Sequence, residues 1–157
     1  MSFYIILNLF LAFIWSALLG SFNPTNMLAG FAIGYLVLFI SRRALPPSNY
    51  FRKVYLAFGF LFFFIWELLV ASLRVAVDVL TPRHRMRPRV LAYPLEARTQ
   101  VEIVLLSNLL TLTPGSLSLD VSSDHRVLYV HAMYAENEEK ALQDLHRLES
   151  RLLALLR

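Results

Sequence analysis

The N-terminal part of the chain is almost continuously apolar and has no Asp, Glu, Lys or Arg before Arg42. A run at residues 21–26, Ser-Phe-Asn-Pro-Thr-Asn, interrupts it and predicts a helix-breaking turn. The two arms, residues 3–20 and 27–41, would be about 23–27 Å long as α-helices, close to the ~30 Å hydrocarbon core of a bilayer. So small a chain could not cover two such helices in a soluble core. Residues 1–41 are therefore predicted to form a membrane helical hairpin.

The second arm of the hairpin contains two glycines at one-turn spacing, Gly30 and Gly34. Small residues four positions apart give a helix a smooth face, which permits close packing against another helix in a membrane. We therefore expect close packing of another helix on this face.

A further apolar segment, residues 54–80, carries three charges. Glu67, Arg74 and Asp78 are seven and four residues apart, so they fall within about 40° of one another on one helical face. One interpretation is an amphipathic helix at the membrane interface with an Arg74–Asp78 pair. The other interpretation is that the helix docks on a partner helix or takes part in ion transfer, because ionisable groups at membrane depth normally face a partner helix or a proton path.

Basic residues are concentrated beside the membrane segments, where residues 42–89 hold nine Lys or Arg against two acidic residues. They cluster in a connection, residues 42–53, and in a linker, residues 81–89. The clustered residues are Arg42, Arg43, Arg52 and Lys53 in the connection, and Arg83, Arg85, Arg87 and Arg89 in the linker. The positive-inside rule places both clusters in the cytoplasm. Without interleaved aromatic residues, they do not indicate a nucleic-acid partner.

These clusters conflict with a single crossing by residues 54–80, which would put one cluster on each side of the membrane. We therefore expect two full crossings, made by the hairpin, with residues 54–80 lying in or dipping into the cytoplasmic side. Three crossings with an outside N-terminus are the alternative.

Residues 90–157 have the composition of a small soluble α+β domain, with the predicted order β-α-β-β-α, and we expect this domain to be cytoplasmic. A strand at residues 89–95 ends in Pro94, which suits an edge strand. Thr99 and Glu102 have capping-box spacing and predict the start of a helix that ends before Pro114. Residues 117–121 and 127–131 predict a β-hairpin, with Asp120 on the outward side. The final helix is indicated by apolar residues at helical spacing: Ala141, Leu145, Leu148, Leu152 and Leu156.

Chemistry-bearing motifs are scarce. The chain has no cysteine, which excludes disulfides and thiolate sites. Ser116, Asp120 and His131 are the residue types of a catalytic triad, but no nucleophile-elbow motif accompanies them. His146 and Glu149 are interpreted as a solvated helix pair rather than half of a metal site. We expect no catalytic residue, cofactor or bound metal.

One stretch resembles a known family. Residues 106–120, Leu-Ser-Asn-Leu-Leu-Thr-Leu-Thr-Pro-Gly-Ser-Leu-Ser-Leu-Asp, are similar to the hallmark run of the E-type subunit of multisubunit Mrp-type Na+/H+ antiporters. Its central turn is Thr113, Pro114, Gly115 and Ser116, where Ser116 replaces the usual threonine and keeps the hydroxyl. Related subunits occur in membrane-bound hydrogenase and oxidoreductase complexes. The resemblance extends over nearly the whole chain.

The resemblance implies a non-catalytic accessory subunit in the plasma membrane of a prokaryote, multi-pass, with the C-terminal domain cytoplasmic. Its partners would be the other antiporter subunits and the lipid bilayer, and the larger subunits would move the ions. Glu67, Arg74 and Asp78 are then candidates for inter-subunit or ion-path charges. A direct proton path through Glu67, or the equivalent subunit of a hydrogenase or oxidoreductase complex, is the alternative function.

Overall fold

A computed structural model describes residues 2–81 and 86–157, so Arg83 and Arg85 of the predicted linker lie outside the described residues. The helices are α1 (Ser2–Leu18), α2 (Pro24–Ile40), α3 (Tyr50–Leu80), α4 (Gln100–Leu112) and α5 (Glu138–Leu156). The strands are β1 (Arg89–Pro94), β2 (Ser116–Val121) and β3 (Val127–Ala132). The chain divides into two compact units, residues 1–55 and residues 56–157.

The first unit contains the predicted hairpin of α1 and α2, although α2 begins three residues earlier than expected. Asn23 accepts a hydrogen bond from the backbone N–H of Asn26 at 2.7 Å and caps the helix. Pro24 occupies the first helical position, where its missing N–H costs nothing because that group has no partner inside the helix. The sequence predicts Pro24 in the turn, whereas in the structure Pro24 is the first residue of the second arm.

The two arms meet at the predicted glycine face. A Cβ atom added to Gly30 would lie 2.9 Å from the Cα of Ala12, closer than real side chains approach. At Gly34 an added Cβ would collide with the Oδ1 of Asn8. These glycines let the backbones of α1 and α2 approach closely, which confirms the expectation from their spacing.

Aromatic side chains and two polar contacts tie the connection of residues 41–50 to α1. The hydroxyl of Tyr4 donates to the carbonyl of Pro46 at 2.6 Å, and the side-chain amide of Asn8 donates to the hydroxyl of Tyr50 at 2.8 Å. Tyr4 and Tyr50 are almost fully buried and stack with ring centroids 5.8 Å apart. These contacts pair three buried polar groups of the unit, whereas the Oδ1 of Asn8 and the indole N–H of Trp15 have no partner among the described residues.

The second unit contains a three-stranded antiparallel sheet in the order β1-β3-β2, which agrees with the predicted β-α-β-β-α sequence of elements. β1 is an edge strand, as Pro94 indicates. The buried core joins the sheet to α4 and α5, and three phenylalanines of α3 pack against it. The core residues are Leu91, Tyr93, Leu106, Leu110, Leu128, Val130, Ala135, Leu145, Leu148 and Leu152, and the phenylalanines are Phe60, Phe63 and Phe64.

The start of α4 is fixed as the sequence predicts. Thr99 accepts from the backbone N–H of Glu102 at 3.2 Å, and the Glu102 carboxylate accepts from the N–H of Thr99 at 3.1 Å. Arg157 adds an ion pair to Glu102 at 3.1 Å. The Arg157 hydrogen bond, followed by the backbone N–H groups, lowers the pKa of Glu102 to about 2.

β2 differs from a simple alternating strand. Asp120 is exposed as predicted, but Leu117 and Leu119 are also about half exposed. The inward side carries Ser118 instead, whose hydroxyl donates to the carbonyl of Ser107 in α4 at 3.1 Å. A break in register between Ser118 and Asp120 leaves two successive residues facing outward. The alternating pattern correctly gave a strand but did not show which face is covered.

Two of the described helical segments are long and apolar enough to cross a membrane by length and composition, Pro24–Arg43 and Tyr50–Leu80. α1 is apolar but has 17 residues, so at 1.5 Å per residue it is about 25 Å long. α3 has 31 residues and is about 46 Å long, far more than a bilayer core requires.

The glycine face of the hairpin provides a stability test. We expect Gly30→Ala to lower the free energy of unfolding by about 1–3 kcal/mol, because the new methyl group must push α1 and α2 apart. Gly59→Ala is the matched control, since nothing lies within 4 Å of a Cβ added there. The measurement is unfolding of the full chain in mixed detergent micelles, followed by circular dichroism. Equal stability of the two variants would show that the arms do not meet at Gly30.

Candidate functional site

The charged stripe of α3 faces the chain's own α+β domain. Glu67 and Arg74 line a cavity between α3 and this domain, and Asp78 is 3% exposed. The opposite face of α3 is apolar and open, with large side chains that are 47–84% exposed: Tyr55, Phe58, Leu61, Phe62, Ile65, Trp66, Leu69, Leu73, Val77, Val79 and Leu80. From Leu56 to Leu80, α3 thus has one face toward the domain, which carries the three charges, and an open face without charged residues.

The cavity behind α3 brings the charged stripe and the hallmark turn together. It has a volume of about 160 Å³, and all four turn residues, Thr113 to Ser116, line it together with Glu67 and Arg74. Most of its wall is apolar and belongs to the domain core. The apolar lining includes Phe63, Phe64, Val70, Leu91, Leu110, Val130, Leu145 and Leu148.

The hallmark turn has a fixed backbone. Gly115 has φ +90°, a conformation that residues with a side chain rarely adopt. The Ser116 hydroxyl lies 2.6 Å from the carbonyl of Leu110 and 3.0 Å from that of Thr113, and Thr113 donates to Leu109 at 3.0 Å. The hydroxyl that Ser116 shares with threonine therefore closes the end of α4.

Tyr134 connects this turn to the charges of α3. A Cβ added to Gly115 would lie 3.2 Å from two carbons of the Tyr134 ring. On α3, the guanidinium of Arg74 lies over the same ring, 5.4 Å from its centroid. Burial raises the pKa of Tyr134, and the neighbouring Asp78 carboxylate raises it further. Tyr134 was not singled out in the sequence, because a tyrosine in a loop carries no pattern.

The structure does not form the Arg74–Asp78 pair of the interfacial interpretation. Within the described residues, no ion pair at 4.0 Å or less joins these two side chains. Arg74 is occupied by the Tyr134 ring instead. The Oδ2 of Asp78 and the hydroxyl of Tyr134 are both buried and have no hydrogen-bond partner in the described part of the chain.

A second, open pocket of about 630 Å³ adjoins these groups. Asp78 and Tyr134 line it together with Arg74, the apolar residues Leu73 and Val77 of α3, and polar residues at the start of α5. Those polar residues are Glu136, Asn137, Lys140 and Asp144. Its wall therefore combines carboxylates, cations and apolar side chains.

Glu67 is half-buried in the first cavity, and no ion pair or hydrogen bond of its side chain occurs in residues 2–81 and 86–157.

The three residues of catalytic-triad type, Ser116, Asp120 and His131, do not form a triad. Ser116 bonds to carbonyls of its own turn, and Asp120 accepts from the adjacent backbone N–H of Val121 at 2.8 Å. The geometry therefore offers no nucleophile and base in contact at these positions.

The interpretation of His146 and Glu149 as a solvated pair was wrong. Glu149 is fully buried and accepts from the backbone N–H groups of Glu96 and Ala97 at 2.9 and 2.8 Å. Its other oxygen accepts from Tyr93 at 2.5 Å, and burial together with this bond raises the pKa of Tyr93. Glu149 is buried because the loop at residues 96–97 donates its backbone N–H groups to it. The spacing of residues along the helix contains no information about this loop.

The same cluster is the place in the described chain where a metal could be held. Glu96, His146 and Glu149 have ligand atoms within 4.8 Å of one another. Both oxygens of Glu149 already accept hydrogen bonds, so an ion would have to displace Tyr93 or the backbone contacts. The arrangement fits a structural cap better than a metal centre.

Comparison with known proteins identifies the family. The chain matches a family described as Na+/H+ ion antiporter subunit over residues 8–155. It is 36% identical over 146 residues to the E-type subunit of the Na+/H+ antiporter of Alkalihalophilus pseudofirmus, covering 93% of this chain and 92% of the relative. The E-type subunit of Bacillus subtilis is 41% identical over 145 residues, 92% of each chain. A chain in the structure of the Mrp complex from a Dietzia species has 31% identity and a TM-score of 0.51, covering 63% of this chain and 94% of that chain. This chain therefore belongs to the Na+/H+ ion antiporter subunit family.

Proposed function

We propose that this chain is an accessory and assembly subunit of a multisubunit Na+/H+ antiporter in the plasma membrane of a prokaryote. It is non-catalytic, and its partners are the other subunits of the antiporter and the lipid bilayer. The names of its relatives favour an antiporter over a hydrogenase or oxidoreductase complex.

The observation that carries this proposal is the contact of Gly115 with Tyr134 and of Tyr134 with Arg74. The hallmark turn thereby helps to hold the α+β domain on the charged face of α3. Residues that hold two elements together need close packing rather than reactivity. The turn has a glycine, a proline and two hydroxyl groups that are hydrogen-bonded within the domain. The role we assign to Thr113, Pro114, Gly115 and Ser116 is therefore structural.

We further propose that α1 and α2 cross the membrane and that α3 lies in or dips into the cytoplasmic side. Support comes from the covered face of α3, which extends from Phe60 to Asp78, about 27 Å along the helix. If α3 crossed the bilayer over this length, the α+β domain and its charged side chains would enter the hydrocarbon core at high cost. The open apolar face of α3 suits a membrane surface or a neighbouring subunit.

A second candidate function is supported by Glu67. Its carboxyl group lines a small, mostly apolar cavity without an ion pair among the described residues. A carboxyl group in such a place is a typical proton carrier. In this alternative the chain contributes directly to the proton path.

Gly115→Ala tests the structural role of the turn. The new side chain must adopt a positive φ and press on Tyr134, which we expect to cost about 1–2 kcal/mol. The amount of assembled complex should fall, while the apparent Na+ affinity of the complex that remains should not change. Gly59→Ala is the control, because no atom lies within 4 Å of a Cβ added at that position. Full assembly with altered ion affinity would instead make the turn a binding site.

Glu67→Gln separates the two candidate functions. An accessory role predicts normal assembly and substantial remaining transport, because glutamine keeps the shape of the side chain. Glu139→Gln, at an exposed position on α5, is the matched control. Transport is measured as Na+-dependent pH change in inverted vesicles, normalised to assembled complex. Loss of transport in a fully assembled complex would favour the proton path.

Cysteine labelling tests the membrane arrangement, and the chain has no native cysteine to interfere. An impermeant thiol reagent added outside intact cells should label Thr25→Cys and leave Asn49→Cys and Ser123→Cys unlabelled. All three positions are exposed. Labelling of Asn49→Cys with protection of the other two would establish three crossings and an outside N-terminus.

A further inference from the structure

Two residues that line the pocket beside Asp78 each have a buried polar atom without a hydrogen-bond partner in the described part of the chain. Asp78 is 3% exposed, and its Oδ2 has no partner among the described residues. The hydroxyl of Tyr134 lies beside the Asp78 carboxylate, which raises its pKa as an acceptor and as a charge, but it has no hydrogen bond at 3.5 Å or less to any described residue. A buried carboxylate oxygen without a hydrogen bond is unfavourable, so a ligand that donates to both oxygens would be stabilised here.

The rest of the pocket offers the opposite charge and an apolar wall. Arg74 and Lys140 line it on the side of α3 and α5 respectively. Leu73 and Val77 also line it and are 65% and 52% exposed, because they continue into the open apolar face of α3. A fitting ligand therefore carries a cationic donor, an anionic group and an apolar tail.

We propose that this pocket binds the headgroup of phosphatidylethanolamine. The primary ammonium donates to Asp78 and Tyr134, the phosphate is paired by Arg74 and Lys140, and the acyl chains lie along Leu73 and Val77. An ammonium group has three N–H donors, enough for both unpartnered oxygens. The pairing of a phosphate with a guanidinium is a strong charge-assisted contact.

A bare metal ion fits less well. In the described part of the chain, the carboxylates of Asp78, Glu136 and Asp144 do not form a group with ligand atoms within 4.8 Å, as Glu96, His146 and Glu149 do. Asp144 is also paired with Arg147 at 3.6 Å. The presence of Arg74 and Lys140 in the wall opposes a metal cation but favours a ligand with both charges.

The Oδ2 of Asp78 is buried, so the carboxylate must rotate before a headgroup can reach it. The terminal torsion of aspartate has a broad energy profile, so the carboxylate can turn an oxygen toward the pocket that its residue lines. The inference rests on the proposed placement of α3 against the membrane, because a lipid reaches the pocket only from its open apolar face.

The test uses the assembled complex, purified in detergent, stripped of lipid and titrated with defined lipids in native mass spectrometry. Phosphatidylethanolamine should bind about tenfold or more tightly than phosphatidylcholine with the same acyl chains, because the trimethylated headgroup has no N–H to donate. Asp78→Asn should abolish this preference and leave phosphatidylcholine binding unchanged. Asp120→Asn, the same change at an exposed site outside the pocket, should keep it.

Equal binding of the two lipids to the unaltered complex would overturn the proposal. So would a preference that survives Asp78→Asn, or displacement of the lipid by an equal concentration of free phosphoethanolamine. If the Asp78→Asn complex does not assemble, Tyr134→Phe is measured in its place, and this variant should also lose the preference for phosphatidylethanolamine. A complex that assembles and transports normally but does not prefer phosphatidylethanolamine would rule out the lipid site and leave the accessory role intact. Failure of the accessory role would instead be seen in assembly and transport.

Discussion

Close contact between a glycine and an aromatic ring organises the second unit of this protein. Tyr134 lies so close to the hallmark turn that a side chain on Gly115 would force its ring to shift, and the turn keeps its shape because glycine tolerates φ +90°. The guanidinium of Arg74 lies over the same ring, 5.4 Å from its centroid. The contact of Gly115 with Tyr134 lies between the first cavity, which both residues line, and the second pocket, which Tyr134 and Asp78 both line. It also explains why a turn without reactive groups can be the most specific stretch of the sequence.

Much of the local structure was predictable because short-range chemistry determines it. The capping box at Thr99 and Glu102 needs two residues at a fixed spacing, and the structure forms both bonds. Gly30 and Gly34 predicted a close helix contact, since nothing but backbone remains on that face. The single-face placement of Glu67, Arg74 and Asp78 follows from helical geometry alone.

The rest could not be predicted because it depends on partners distant in sequence. Glu149 is buried because the loop at residues 96–97 lies over it, and a helical pattern contains no information about that loop. Leu117 and Leu119 face outward because of an irregular register with β3. Arg74 interacts with an aromatic ring sixty residues away in sequence rather than with the aspartate one turn along its own helix. For the same reason the sequence could not show that the charged stripe faces the chain's own domain.

The two faces of α3 have a consequence for how this helix can change over evolutionary time. Each residue added to a helix rotates everything that follows it by about 100°. A single insertion between Glu67 and Arg74 would therefore turn Arg74 and Asp78 away from Tyr134 and bring large apolar side chains toward the domain core. Substitutions on the open face leave this geometry intact. Packing against the domain therefore leaves the amino acids of that face free to vary in size and shape, but it fixes the length of the segment between the charges.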